Sequence, residues 1–381
     1  MPSRGPVFLA HQGAQAPILL ENFLLATAAE HPDWPVAATV FLPRYTPATS
    51  AEIVSNFQSS ARYVLADPET HRMLDPFAER GRGRHHLGYL QESDPRANRQ
   101  RFVDAVLRAQ IEAGADAVIS PWLTHGTRRT SAHLRATFRF AELAAERAII
   151  GDRELLFGVA VTEDVVADDN ERGELIDDLV DLPEGNVYLR IQVTPPTSFG
   201  QYAVPSVLAG MREIARALEA NGRRVIYPQM GLAGWLTVPD GAFGFGSGIS
   251  ASMQRFVAPA SGFGRPLEWY FLPQVLGFVL RSEVPDISDV TGYDECECPY
   301  CEDLTFGIGA GWSRDVAGLH YLWWCSELAD EVTNAPNRVA ALRDRLEASR
   351  EFWSAIQASR VLLDERSEPR HLAIWSAATA A

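Results

Sequence analysis

Short apolar runs alternate with amphipathic segments along most of the chain. The apolar runs predict strands over 6–10, 36–42, 63–66, 115–120, 155–161, 187–193, 224–227 and 241–246. The amphipathic segments, with apolar residues at helical spacing, predict helices over 17–30, 99–113, 131–150, 172–182, 205–221, 316–334 and 336–358. The helix over 205–221 has clear ends, because Pro205 stands at its first position and Asn221-Gly222 follows its last apolar residue.

This alternation predicts the fold class. Near-continuous apolar strands separated by helices are typical of an α/β protein whose parallel sheet is covered on both faces. About eight such units favour a (β/α)8 TIM barrel. No Gly-x-Gly-x-x-Gly motif follows an early strand, which argues against a dinucleotide-binding sheet. We expect a barrel over 1–290, a zinc-binding subdomain with C-terminal helices over 291–363, and a flexible tail over 364–381.

Composition narrows the function classes. The chain has 381 residues, 46% of them hydrophobic, and a net charge of −15, which argues against non-specific binding of nucleic acid. All of its basic residues are arginine, so Schiff-base catalysis by lysine is excluded. Four cysteines indicate a reducing compartment, and neither a signal peptide nor a membrane-spanning run is evident. We therefore expect a cytoplasmic protein with no membrane partner.

Three of the four cysteines lie close together, at Cys296, Cys298 and Cys301, and His320 follows them. Zinc binds four nitrogen or sulfur ligands, and three cysteines with one histidine form a common structural set. The spacing therefore predicts a Zn²⁺ site, with a disulfide as the alternative. Cys325 is a second candidate for the fourth ligand, although its apolar surroundings favour a buried structural role.

Polar residues at the predicted strand ends are candidates for the active site, because barrel enzymes gather their chemistry there. Asp67 ends a short apolar strand and is either a pocket residue or the cap of a following helix. The amides of Gln192 and Gln229 could bind the edge of a base or make hydrogen bonds inside the barrel. The glycine-rich segment over 241–248, which includes Gly246 and Ser247, could contact a phosphate or ribose, or it could be a close backbone approach. The remaining strand-end candidates are Glu69, His71, Ser120, Trp122, His125, Thr162, Glu163, Asp164, Arg190, Thr194 and Met230.

A barrel followed by Cys-x-Cys-x₂-Cys and a distant histidine resembles the tRNA-guanine transglycosylase family, as a divergent member. That family is a zinc-bearing (β/α)8 barrel that exchanges guanine for a 7-deazaguanine base. The resemblance implies zinc ligands at Cys296, Cys298, Cys301 and His320, where His320-Tyr-Leu resembles the family's helix beginning His-Asn-Leu.

The resemblance extends weakly to the first half of the chain. Gly5-Pro-Val-Phe-Leu-Ala resembles the family's Thr-Pro-Val-Phe-Met-Pro, and Leu156-Phe-Gly-Val-Ala-Val resembles Phe-Gly-Val-Val-Gln-Gly. Tyr63-Val-Leu-Ala-Asp matches the strand that carries the family's general acid/base, so the resemblance implies that role for Asp67. The glycines that follow this aspartate in the family are replaced by Pro68-Glu-Thr-His.

The largest departure from the family falls on its nucleophile. The family attacks the ribose C1′ with the second aspartate of Asp-Met-Phe-Asp-Cys, and the matching segment Phe243-Gly-Phe-Gly-Ser places Gly246 there. Glycine has no side chain that could form a covalent intermediate. Either Asp240 or Asp164 supplies the missing carboxylate, or no covalent intermediate forms; we favour the second.

Three hypotheses on function follow. The first is a transglycosylase-like enzyme that exchanges a base in a nucleoside, tRNA or DNA. The second is a non-catalytic barrel that binds nucleic acid or a partner subunit, in a homodimer or heterodimer, since the family uses non-catalytic partner subunits. The third is an unrelated small-molecule enzyme on a barrel that carries a structural zinc.

Overall fold

The computed structural model describes residues 5–12, 17–71, 95–123, 132–194, 201–257, 268–293, 296–301 and 313–380. Eight parallel strands form a closed barrel in chain order, and β1 pairs with β8 to close it. The predicted (β/α)8 class is therefore confirmed. The strands are β1 (Val7–His11), β2 (Val36–Phe41), β3 (Val64–Asp67), β4 (Ala117–Ile119), β5 (Glu154–Thr162), β6 (Asn186–Gln192), β7 (Val225–Tyr227) and β8 (Gly244–Gly248).

Helices cover the outside of the barrel and its ends. They are α1 (Pro17–Glu30), α2 (Pro47–Gln58), α3 (Arg99–Glu112), α4 (Ala132–Ala145), α5 (Glu163–Ala167), α6 (Asp169–Asp181), α7 (Pro205–Ala220), α8 (Leu232–Trp235), α9 (Ala251–Gln254), α10 (Val284–Thr291), α11 (Arg314–Asn334), α12 (Arg338–Ser359) and α13 (His371–Ala380). The expected ends of α7 are confirmed, with Gly222 at a φ of +71° just after the helix. None of the predicted helices covers α2, although it begins in a local signal: the Thr46 hydroxyl accepts the Thr49 amide, and Pro47 follows it.

The barrel interior is mainly apolar in the layers nearer the amino ends of its strands. Side chains two residues apart on a strand face the same way, so each inward-facing residue is followed by another one layer nearer the carboxyl end. One interior cluster includes Leu9, Leu65, Ile119, Leu156, Tyr188 and Ile226. His11, Asp67 and Arg190 follow Leu9, Leu65 and Tyr188 by two positions, so they lie one layer nearer the carboxyl end of the barrel.

A second, smaller region follows the barrel. Strands β9 (Trp269–Leu272) and β10 (Gly277–Leu280) form an antiparallel pair, and the cysteine segment 296–301 and the helices α11 and α12 come after it. Within the described residues, no helix is long and apolar enough to cross a membrane.

The prediction of a flexible tail over 364–381 is wrong for most of its length. Residues 371–380 form α13, whose Trp375 is 0% exposed and donates its indole N–H to the Tyr202 carbonyl at 2.9 Å. The Arg212 guanidinium also donates to the Ala378 carbonyl, which ties the helix to α7. The alanine-rich sequence gives little indication of this contact, because few large side chains, chiefly Trp375 and Leu372, anchor the helix.

We expect Trp375→Ala to lower the free energy of unfolding by about 3–5 kcal/mol, as for other large buried aromatic residues. Urea unfolding followed by circular dichroism measures the change. Leu362→Ala is the control, because Leu362 is 94% exposed and its loss should change stability by less than about 0.5 kcal/mol. Equal stabilities for the two variants would contradict the docking of α13.

Candidate ligand site and metal centre

A buried ion pair spans the carboxyl end of the barrel. Arg190 of β6 pairs with Asp67 at the end of β3 and also donates to the Gln229 side chain. Tyr188 donates its hydroxyl to the same Asp67 oxygen at 2.9 Å. The other Asp67 oxygen accepts the Glu69 amide at 2.8 Å, so the carboxylate both stabilises a local turn and faces the barrel interior. We refer to His11, Asp67, Tyr188, Arg190 and Gln229 together as the mouth network.

Aromatic rings surround the Arg190 guanidinium. Its central carbon lies 5.4 Å from the Trp122 ring centroid, 5.5 Å from that of Phe256 and 6.0 Å from that of Phe41. Burial disfavours the charge on Arg190, but Asp67 and Tyr188 outweigh this effect and raise its pKa. Burial, followed by the Asp67 charge, also raises the pKa of Tyr188. Both groups therefore keep their protons and act as hydrogen-bond donors.

His11 occupies the space beside Gly246. Its Nε2 contacts the Pro228 carbonyl oxygen, so Nε2 carries the proton and Nδ1 is an acceptor. Burial and, to a smaller extent, Arg190 lower the pKa of His11 to about 3, which keeps the ring neutral at pH 7. A side chain at position 246 would overlap with this ring and with the Pro228 carbonyl. The glycine thus permits a close approach of β8 to His11.

Several polar atoms of this layer have no hydrogen-bond partner among the described residues. They are His11 Nδ1, Thr39 Oγ1, Trp122 Nε1 and Arg190 Nε, and all four residues are buried. Buried polar groups are usually satisfied, so this concentration at one end of the barrel makes the layer the candidate ligand site.

The remaining candidates lie in different places. Gln192 is half-buried at the end of β6, two residues beyond Arg190. Ser247 donates to the Tyr321 hydroxyl of α11 at 3.2 Å, so its side chain faces away from the barrel interior. Asp164 is exposed on α5. Asp240 precedes β8, at the opposite end of the barrel, and pairs with Arg212 at 2.5 Å. The structure therefore brings Asp67 together with Gln229 and Gly246. It places Asp164 and Asp240, the two alternative carboxylates, away from them.

His11 is not among the site residues predicted from the sequence, because a lone histidine after an apolar run carries little signal. Its position as the last residue of β1 was the only available indication. His125 lies outside the described residues.

A second cluster consists of the three cysteines and His320. Their ligand atoms all lie within 4.8 Å of one another, and the four residues are buried. His320 Nδ1 is 3.5 Å from Cys296 Sγ, 3.2 Å from Cys298 Sγ and 3.1 Å from Cys301 Sγ. A tetrahedral zinc site has roughly 3.5 Å between its sulfur and nitrogen ligands. The cluster is thus compatible with a metal ion such as zinc, and Cys325 is not part of it.

The surroundings of the cluster orient its ligands. His320 Nε2 lies 2.7 Å from the Phe271 carbonyl of β9, which leaves Nδ1 directed at the sulfurs, and Trp324 donates to Cys296 Sγ at 3.4 Å. Such contacts fix the tautomer of a metal-binding histidine. Because Phe271 precedes residue 290, the metal region uses residues on both sides of the predicted domain boundary.

No protein-family model matches the chain, and no curated protein matches its sequence.

We expect the purified protein to contain one metal ion per chain, and Cys298→Ala to lose it and to have a lower thermal midpoint, because three remaining ligands would hold an ion weakly. Metal analysis of the purified protein by plasma mass spectrometry measures the content per chain. Cys325→Ala is the matched control, since it removes a buried thiol outside the cluster. Full metal content in Cys298→Ala would show that the cluster is not the metal site.

We expect Gly246→Ala to destabilise the protein by about 1–3 kcal/mol, because the added methyl group has no space beside His11. Gly173→Ala in α6 is the control, since nothing lies within 4 Å of its added Cβ, and it should stabilise by about 0.4–1 kcal/mol. Chemical unfolding of both variants gives the comparison. A Gly246→Ala variant as stable as the wild type would mean that His11 does not pack there.

Proposed function

We propose that the chain is a divergent transglycosylase-like barrel protein that binds a nucleobase or nucleoside at the mouth network without forming a covalent glycosyl intermediate. The packing of His11 and the Pro228 carbonyl against Gly246 is the observation that carries this proposal. Even a small side chain lacks space there, so the position matching the family's nucleophile is closed to a carboxylate.

The unpartnered atoms of the mouth support recognition of a base. A nucleobase presents N–H and C=O groups along one edge and two flat faces. His11 Nδ1 would accept from an N–H group, and Trp122 Nε1 and Arg190 Nε would donate to a carbonyl. The rings of Trp122 and Phe256 offer apolar faces for stacking.

Access to these atoms requires a rearrangement. Trp122, Arg190 and His11 are almost completely buried, and His71 packs over Trp122 and Phe256 at 5.8 and 5.2 Å between ring centroids. A ligand must therefore displace part of this aromatic cover. The same burial argues against an open pocket for a small ligand, and the second candidate function, a barrel that binds a partner subunit, needs no such pocket.

The role of Asp67 changes in this proposal. An aspartate that pairs with Arg190 and accepts from Tyr188 holds the guanidinium in place, so we assign it to orienting Arg190. The family's acid/base role for Asp67 stays a prediction that the exchange experiment below also tests.

We further propose that the metal is a structural Zn²⁺. Cys296, Cys298, Cys301 and His320 would hold it, and four protein ligands leave no open position for substrate or water. The ion would cross-link the segment 296–301 to α11, and it would supply no catalytic chemistry.

We expect guanine and guanosine to bind, and Trp122→Phe to weaken their binding by roughly tenfold, because the change removes one hydrogen-bond donor and keeps an aromatic ring. Titration calorimetry measures the affinity. Asp240→Asn, at the opposite end of the barrel, should bind as the wild type does. Intact mass spectrometry after incubation with tRNA, duplex DNA or guanosine should show an unmodified chain.

Three outcomes separate the hypotheses. A covalent adduct on Asp67, Asp164 or Asp240 would refute the non-covalent proposal and support the transglycosylase mechanism. Exchange of labelled guanine into tRNA would do the same, and its loss in Asp67→Asn would assign the acid/base role to Asp67. Absence of any base binding, together with a stable complex with another subunit, would support the partner-binding candidate.

A further inference from the structure

Trp122, whose ring and indole N–H belong to the proposed base site, is fixed at its backbone by a single side chain. The Thr70 hydroxyl donates to the Trp122 carbonyl at 2.6 Å and accepts the Trp122 amide at 2.9 Å. Both residues are fully buried. Because Trp122 lies just beyond the end of β4, this hydroxyl takes the place of a neighbouring strand for both of its backbone polar groups.

The barrel also leaves a defined space for the Trp122 ring. A Cβ added at Gly158 of β5 would lie 2.5 Å from Trp122 Cε3 and 2.6 Å from the Ser120 carbonyl oxygen. The Gly158 amide donates to Ser120 Oγ at 3.0 Å, which holds β5 close to the segment after β4. The ring therefore packs directly against the β5 backbone, and a small shift of the Trp122 backbone moves the ring relative to its neighbours.

Thr70 belongs to the same turn as Asp67. Asp67 Oδ1 accepts the Glu69 amide at 2.8 Å, and Glu69 has a φ of +41°. Residues other than glycine rarely adopt this backbone conformation, so contacts such as the one to Asp67 are needed to hold the turn in it. The other Asp67 oxygen pairs with Arg190. Asp67 thus contacts Arg190 directly and reaches Trp122 through the turn that contains Thr70.

The two residues held in this way carry the two donors that we assign to a carbonyl group of the base. Arg190 Nε and Trp122 Nε1 have no hydrogen-bond partner among the described residues. One carbonyl oxygen can accept from both only if their separation is correct, because hydrogen bonds weaken steeply outside a narrow range of distance and angle. A displacement of about 1 Å is enough to lose such an interaction.

From the double hydrogen bond to the Trp122 backbone, the close approach of Gly158 and the shared turn, we infer that Thr70 is a positioning residue. It sets the position of the Trp122 indole relative to Arg190 and does not contact the base itself. The inference rests on the proposed function, because it assigns Thr70 a role in binding a base that carries a carbonyl group.

A double-mutant cycle in the full-length protein tests this role, with guanosine affinity measured by titration calorimetry. Thr70→Val removes the hydroxyl and keeps the shape of the side chain, so it should weaken guanosine binding by roughly tenfold. In the Trp122→Phe background the same change should weaken binding by about threefold at most, because the indole donor that Thr70 positions is already absent. A merely structural role would weaken binding by the same factor in both backgrounds.

Two measurements without ligand separate this inference from the proposed function. The near-ultraviolet circular dichroism of the wild type minus that of Trp122→Phe gives the signal of Trp122, and Thr70→Val should lose most of that signal while remaining folded. The Trp122 amide should exchange slowly with deuterated water in the wild type and about tenfold faster in Thr70→Val, because the variant lacks its acceptor. Exchange is measured by NMR.

Two further variants serve as controls. Thr70→Ser keeps the hydroxyl and should bind guanosine within about twofold of the wild type. Thr27→Val is the matched substitution, because Thr27 is also buried and its hydroxyl donates to the Phe23 carbonyl of its own helix at 2.8 Å. It should change neither the guanosine affinity nor the exchange of the Trp122 amide. Thr70→Ala replaces Thr70→Val in every measurement if the valine variant does not fold.

Three results would overturn the inference. They are an unchanged Trp122 dichroism signal in folded Thr70→Val, a Trp122 amide that exchanges rapidly in the wild type, and losses of guanosine affinity that multiply in the double variant. If the wild type binds no base but Thr70→Val loses the Trp122 signal, the proposed function fails and the positioning of Trp122 by Thr70 is retained.

Discussion

The ion pair between Asp67 and Arg190 constrains everything else at the carboxyl end of the barrel. A guanidinium that is almost completely buried is tolerated only where a carboxylate and further hydrogen bonds compensate its charge. Asp67 at the end of β3 and Gln229 after β7 supply that compensation, and Tyr188 of β6 donates to the same Asp67 oxygen. Because Asp67 is committed to this pair, its loss would leave an uncompensated charge inside the barrel.

The same pair also influences the protonation of His11 and the packing of the residues around it. The Arg190 charge is one cause of the low pKa of His11, so a neutral imidazole with a free Nδ1 acceptor faces the barrel interior. That ring takes the space beside Gly246, and the aromatic residues close over the guanidinium. The mouth is therefore a preorganised polar site under an apolar cover. This arrangement supports the proposed recognition of a base over displacement at a sugar carbon, because Asp164 and Asp240 both lie away from Gly246.

The metal cluster and the mouth network reach their geometry in different ways. Three of the four cluster ligands come from six consecutive residues, so local chain geometry brings the sulfurs together, and the turn with the Cys301 amide on the Cys298 carbonyl at 3.2 Å is part of it. The mouth network draws on β1, β3, β6 and β7, which are far apart in sequence. Its members meet only because the barrel closes between β1 and β8.

The sequence by itself therefore determined what depends on local pattern: the eight strands, most of the helices, and the cysteine cluster with His320 as its fourth member. Asp67 was also identifiable, because it ends an apolar strand. Only the tertiary structure decided which strand-end groups meet, since that depends on barrel closure and on which face of a strand each residue occupies. It placed Ser247 against α11, Asp240 at the opposite end of the barrel and His11 beside Gly246. It also showed that most of the alanine-rich tail forms the packed helix α13. The sequence could not reveal this, because the burial of Trp375 depends on a surface formed by residues distant in sequence.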